Sequence, residues 1–355
     1  MAITTQPKAA PTRLLLVSIP RTASNLLLRV LNVPKQPNLL TTPKGGYFFY
    51  PAFLDSTQNG SLQNRPADQW TEEQKDSVKN SCQTCFDSLE EWSSRAEQNE
   101  QVMFAKEHAY WLFSPATFLK STTGQHDEEF FKAFRIQTPE KYGSTQTYSP
   151  SNETMFSDEY LRTWQMVFII RHPALAWPSM YRSMQKLGDQ GIIDDDGVRG
   201  TSVTNMSMRW TRLLYDWCLE QPDVPVAPPV VDAHDLIHNP EVVLQLCEKT
   251  GLDKSVVQFE WPDKTEKKSQ YWACHNPNAD ENEVKLHQSA AGVMLSTLEN
   301  SAGIVKDKAP KAVDITAEAE NWREEFGADV ADLIEKCVRD SMPDYEYLKA
   351  RRITP

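Results

Sequence analysis

The stretch Arg13-Leu14-Leu15-Leu16-Val17-Ser18-Ile19-Pro20-Arg21-Thr22-Ala23-Ser24-Asn25 decides how the rest of the chain is read. Arg13–Ile19 is a short, mostly apolar run with the length and composition of a strand buried on both faces. Pro20 ends that run, and Leu26, Leu27, Val30 and Leu31 then recur at helical spacing. A strand, a tight loop and a helix in this order open a parallel α/β sheet, in which ligands gather at the carboxyl ends of the strands. The loop carries what an anion needs there: the N–H groups of a helix start, with Arg21, Thr22, Ser24 and Asn25 as further donors. It is not a Walker A loop, because no Gly-x-x-x-x-Gly-Lys-Ser/Thr occurs anywhere in the chain. Taken alone, Ser24 and Asn25 read equally well as ordinary helix caps.

Further strands follow at Val102–Lys106, Met166–Ile170 and Val230-Val231. Between and after them the spacing predicts helices over about 72–98, from near Pro173, over 203–220, over Glu241–Thr250 up to Gly251, and over Ala317–Ser341. Strands alternating with helices predict a mostly parallel sheet covered on both faces. The segments 33–75 and 262–310 read as irregular, and 120–158 as a loop-rich insertion. A chain of 355 residues is therefore read as one α/β domain over 13–350, preceded by a disordered tail over 1–12.

Composition narrows the function classes. With 37 Lys+Arg against 49 Asp+Glu, the net charge of −12 argues against nucleic acid as a partner, since binding a polyanion needs clustered cations. No apolar stretch approaches the roughly 18 residues of a membrane span, and the first twelve residues lack a signal-peptide core. Six scattered cysteines do not form a disulfide framework, which points to the cytoplasm. Cys82 and Cys85 make a lone Cys-x-x-Cys, read as a helix surface rather than as a metal or redox site. No metal is expected.

Two more segments place chemistry at the same sheet edge. In Phe168-Ile169-Ile170-Arg171-His172-Pro173, Arg171 stands at a strand end, where a guanidinium suits a phosphate. Ser179 follows eight residues later, about two turns into the helix, and reaches the same pocket only if the loop folds back. An Arg paired to a surface carboxylate explains the segment as well. In Val102-Met103-Phe104-Ala105-Lys106-Glu107-His108, a His following a strand end suits a general base, although a lone His is more often structural. Lys106 alternates with His108, so both share one face.

Together these segments resemble the sulfotransferase family. Pro20-Arg21-Thr22-Ala23-Ser24-Asn25 is similar to its 5′-phosphosulfate loop, and Arg171 with Ser179 to its 3′-phosphate motif. Lys106 and His108 match its Lys-Thr-His strand end, Val231–Pro240 its Tyr-Glu-Asp-Leu…Pro segment, and Trp322–Phe326 its final Trp-Arg helix. The resemblance implies a P-loop-type, three-layer domain with a central mostly parallel sheet, and 3′-phosphoadenosine 5′-phosphosulfate as donor. It implies that Arg21, Thr22, Ala23, Ser24, Asn25, Arg171 and Ser179 hold that donor. His108 would be the base, with Arg21 and Lys106 steadying the leaving phosphate. Tyr47, Phe48, Phe49, Tyr50, Tyr110, Trp111 and Phe113 either wall a pocket for a small phenol or alcohol, or pack the core.

The chain also departs from the pattern. Arg21 stands where many members carry Lys, and Ala23 where Gly is usual. Of the late Lys-x-Gly-x-x-Gly-Asp-Trp loop only Ser301–Lys306 remains. Two other functions stay open: the same fold running donor-free proton chemistry (cyclisation, elimination or isomerisation), and a non-catalytic small-molecule binder. A homodimer is compatible with the sequence.

Overall fold

The computed structural model describes residues 13–58, 62, 65–124, 127–221, 226–261, 289, 292–295, 298 and 301–355. The tail expected at 1–12 lies outside them, as does most of 262–310. The strands are β1 (Arg13–Ser18), β2 (Leu39–Leu40), β3 (Val102–His108), β4 (Gln165–Ile170) and β5 (Val230–Asp232). They form one sheet in the order β2-β3-β1-β4-β5, and every pairing is parallel. The chain reverses its direction of travel across the sheet at β1, so the carboxyl end of β1 is the place where this topology opens a crevice.

The helices in chain order are α1 (Ser24–Val30), α2 (Tyr50–Gln58), α3 (Glu72–Gln98), α4 (Pro115–Thr123), α5 (Glu128–Ala133) and α6 (Asp158–Leu161). They continue as α7 (Pro173–Asp189), α8 (Asp195–Asn205), α9 (Arg209–Glu220), α10 (Ala233–His238), α11 (Glu241–Thr250), α12 (Ile315–Phe326) and α13 (Ala328–Lys349). Strand alternation sorts them into two layers. Leu14, Leu16, Phe104, Val167 and Ile169 pack with Leu27 and Leu28 of α1 and with Val242 and Leu246 of α11. Leu15, Val17, Met103, Met166 and Phe168 face the other way, toward Phe86 of α3, Trp177 of α7 and Ile334 of α13. Both faces of β1 are thus covered, which is why its sequence shows a continuous apolar run.

Several expectations need correction. β3 runs two residues beyond Lys106, so His108 lies inside the strand, in register with Ser18 of β1. The closing helix is two helices, because Gly327 at φ 81° adopts a conformation that ends α12 and starts α13. The helix expected over 203–220 begins only at Arg209, and residues 195–205 form α8 instead. Cys82 and Cys85 are buried in the core rather than on a helix surface, and burial pushes both thiols well above their ordinary range. Within 120–158, α5 and the residues after it bury Phe130, Phe134, Ile136 and Phe156.

One glycine is needed for close approach. Gly46 bridges to Lys106 of β3, with the Lys106 N–H donating to Gly45 O and the Tyr47 N–H to Lys106 O, both at 2.8 Å. A Cβ on Gly46 would lie 2.2 Å from the Lys106 carbonyl oxygen. This contact carries Tyr47 to the end of β3.

Candidate active site

The loop after β1 is shaped by two residues in the left-handed region, Arg21 at φ 69° and Ala23 at φ 67°. Each costs on the order of 1 kcal/mol for a residue with a Cβ. Thr22 is buried between them, and both its N–H and its hydroxyl donate to Ile19 O. Ala23 is the N-cap of α1 and offers no side-chain cap, so the N–H groups of the first turn stay available at the sheet edge.

Two arginines converge on this loop. Arg21 Nε donates to Ser179 Oγ at 2.9 Å and its Nη1 to Met294 O at 2.5 Å. Arg171 Nη1 donates to the carbonyl of Arg21 at 3.0 Å and its Nη2 to Lys308 O at 2.8 Å, while its buried Nε has no partner. Neither guanidinium forms an ion pair with a carboxylate among the described residues. Arg171 feels Asp232, but that carboxylate is bonded to the His234 N–H and the Tyr345 hydroxyl. Burial, with the neighbouring Arg21, lowers Arg171 to about 10, and Arg21 is lowered too, by burial and then by Arg182. Two close cations held only by neutral groups leave a local excess of positive charge in an otherwise acidic protein.

Lys106 and His108 lie beside them. The Lys106 ammonium donates to Asn25 Oδ1 and sits 4.1 Å from the centre of the Tyr47 ring. Full burial lowers it to about 7. His108 Nδ1 is 3.0 Å from Ser18 Oγ, and burial, followed by the charge of Lys106, holds the imidazole well below 6.5. The imidazole is therefore neutral at pH 7, which is the state a proton acceptor needs. Tyr47, Tyr110 and Trp111 surround it, with ring centres 5.2, 5.9 and 4.5 Å away. Tyr50 packs on Trp111 in turn.

All three sequence segments thus meet at one edge. Ser179 reaches Arg21 because α7 starts directly at Pro173, which brings its second turn back over the β1 loop. The aromatic group divides: Phe49 packs on Phe156 and Phe113 on Trp210, while Phe48 gives its N–H to Glu107. Three residues escaped the sequence reading. Glu107, buried and raised by burial to about 8, accepts the Phe48 N–H at 2.6 Å and so anchors the Tyr47–Phe49 loop. Ser18 and Phe53, which packs on Tyr110 and Trp111, also belong to the group. Strand alternation would have put Glu107 on the opposite face, but only the β1–β3 register finds Ser18.

A cavity of about 790 Å³ opens beside this edge, lined by Ile237, His238, Phe259, Trp261, Gly303 and Lys306 among others. Its wall includes Ala302, Gly303, Ile304 and Lys306, and the indole N–H of Trp261 donates to Ser301 O at 2.7 Å. The turn Lys306–Lys308 joins the cavity to Arg171 through the bond to Lys308 O. Among the described residues no group of acidic, His or Cys side chains is placed to hold a metal ion, and no helix is long and apolar enough to cross a membrane.

No family model matches the chain. Sulfotransferase ppzF of Metarhizium rileyi (strain RCEF 4871) is 35% identical over 356 residues, covering 97% of this chain and 96% of that protein. Sulfotransferase ppzF of Metarhizium majus (strain ARSEF 297) is 35% identical over 358 residues, with 97% of each chain covered. Among solved structures, the sulfotransferase domain of the Synechococcus PCC 7002 olefin synthase is 14% identical, with a TM-score of 0.36 over 91% of this chain and 98% of that one.

Proposed function

The chain belongs to the sulfotransferase family, and from that premise we propose that it transfers a sulfuryl group from 3′-phosphoadenosine 5′-phosphosulfate to the hydroxyl of a small phenol or alcohol. The observation that carries this reading is the pair Arg21 and Arg171, two part-buried guanidiniums that among the described residues have no carboxylate partner, one of them with an orphaned N–H. Such a pair fits phosphate and sulfate oxygens, which match the planar fork of Arg. Arg171 and Ser179 would hold the 3′-phosphate, and Arg21, Thr22, Ala23, Ser24 and Asn25 the 5′-phosphosulfate. The cavity at Phe259 and Trp261 has the aromatic lining that suits a nucleoside. When bound, the donor supplies the sulfuryl group.

His108 would take the proton of the acceptor hydroxyl, and Lys106 with Arg21 would meet the charge that builds on the departing phosphate. Tyr47, Tyr50, Tyr110 and Trp111 would wall the acceptor. Donor-free proton chemistry would leave the 3′-phosphate pair Arg171 and Ser179 without a nucleotide to hold, and binding alone would leave His108 without a role. The test is incubation of the purified protein with donor labelled in the sulfuryl group and a mixture of phenols and alcohols. Labelled sulfate ester is the expected product; label recovered only in donor and inorganic sulfate would reject the reading.

Lys106 yields a prediction of its own. An amine near 7 is mostly neutral at pH 8, and an anionic ligand beside it favours the charged form. Binding of adenosine 3′,5′-bisphosphate should therefore take up protons at pH 8, and almost none at pH 6 where the amine is already charged. Calorimetry in buffers of different ionisation enthalpy measures this. The uptake should vanish in Lys106→Met, and an unchanged uptake there would assign the proton to another group.

A further inference from the structure

We infer that Ser18 sets the tautomer of His108, holding the proton on Nδ1 and leaving Nε2 bare to receive the acceptor's proton. This deepens the proposed function and rests on it. Ser18 and His108 are register partners in the parallel β1–β3 ladder, so the backbone itself brings the two side chains together on one face. The Ser18 hydroxyl has a single proton and two neighbours, Glu107 O at 3.2 Å and His108 Nδ1 at 3.0 Å. A carbonyl oxygen can only accept, so both contacts are hydrogen bonds in one arrangement alone: Ser18 donates to Glu107 O and accepts from Nδ1–H.

In a neutral imidazole, a proton fixed on one nitrogen leaves the other as the acceptor. Burial keeps the ring neutral, and the three surrounding aromatic rings of Tyr47, Tyr110 and Trp111 limit its rotation. Ser18 is fully buried, and among the described residues its hydroxyl bonds only this carbonyl and this ring. It is a positioning residue: it acts on the proton through His108 and not on the substrate.

The experiment is nitrogen NMR of the intact protein with ¹⁵N-labelled histidine at pH 7, without substrate, the His108 signals being assigned by their loss in His108→Gln. We expect a protonated Nδ1 and a pyridine-like Nε2 in the wild type, both tautomers in Ser18→Ala, and the wild-type pattern again in Ser18→Thr. Turnover of Ser18→Ala should fall roughly tenfold, the lower end of what outer partners of a functional His contribute, with KM for acceptor and donor unchanged. A protonated Nε2 in the wild type overturns the inference, and so does a Ser18→Ala protein with wild-type spectrum and turnover. Because the spectrum needs no substrate, failure of the sulfuryl-transfer reading would show as an absent product beside an intact Nδ1–H signal.

Discussion

Replacing His108 by Gln should cut sulfuryl-transfer turnover by roughly 10²–10⁴-fold, the usual contribution of a general base. Affinity for adenosine 3′,5′-bisphosphate should change little, because proton transfer is felt only in the transition state. Gln fills most of the space of the imidazole between Tyr47, Tyr110 and Trp111, so the melting temperature should hold. The pH profile adds a second check with a definite sign. Burial and Lys106 lower the His108 pKa, so the basic form persists to more acid pH than for a free imidazole. The acid limb of kcat/KM should thus pass through pH 6.5 without inflection and fall only below it. Near wild-type turnover in His108→Gln would remove the His from the chemistry, and a collapse in melting temperature would make it a core residue.

Replacing Arg171 by Ala should weaken adenosine 3′,5′-bisphosphate by about 1.5–3 kcal/mol, the worth of hydrogen bonds to a charged group, or roughly 10- to 150-fold in Kd. Adenosine 5′-phosphate, which lacks the 3′-phosphate, should bind both proteins nearly alike. The contrast matters because Arg171 also ties Arg21 O to Lys308 O, a structural task that would affect both nucleotides equally. Arg171→Lys should recover part of the difference, as a point charge replaces a fork. Equal losses for the two nucleotides would mean that Arg171 supports the loops and does not touch the 3′-phosphate.

Local pattern carried the sheet. The run Leu14–Val17 is apolar on both faces because α1 and α11 cover one side of β1 while α3 and α7 cover the other. Local pattern also brought out Arg171, Ser179, Lys106 and His108, since strand ends and helix starts announce themselves through Pro173 and the alternation of β3. What it left hidden depends on register and on contacts distant in sequence. Ser18 meets His108 across 90 positions, and Lys106 reaches Asn25 across 81. The two-residue β2 is too short to show a period, and it forms because Val102 donates its N–H to Asn38 O. The burial of Cys82 and Cys85 follows from α2 packing on α3, where polar neighbours in sequence conceal an apolar stripe.

Calorimetric titration of the wild-type protein with adenosine 3′,5′-bisphosphate tests the donor site most directly, since it needs no knowledge of the acceptor. One-to-one saturable binding is expected, with thermal stability rising by about 2.7 kcal/mol at a hundredfold excess over Kd. Absence of saturable binding up to millimolar nucleotide, with the protein folded, would contradict the donor site formed by Arg21, Arg171 and Ser179.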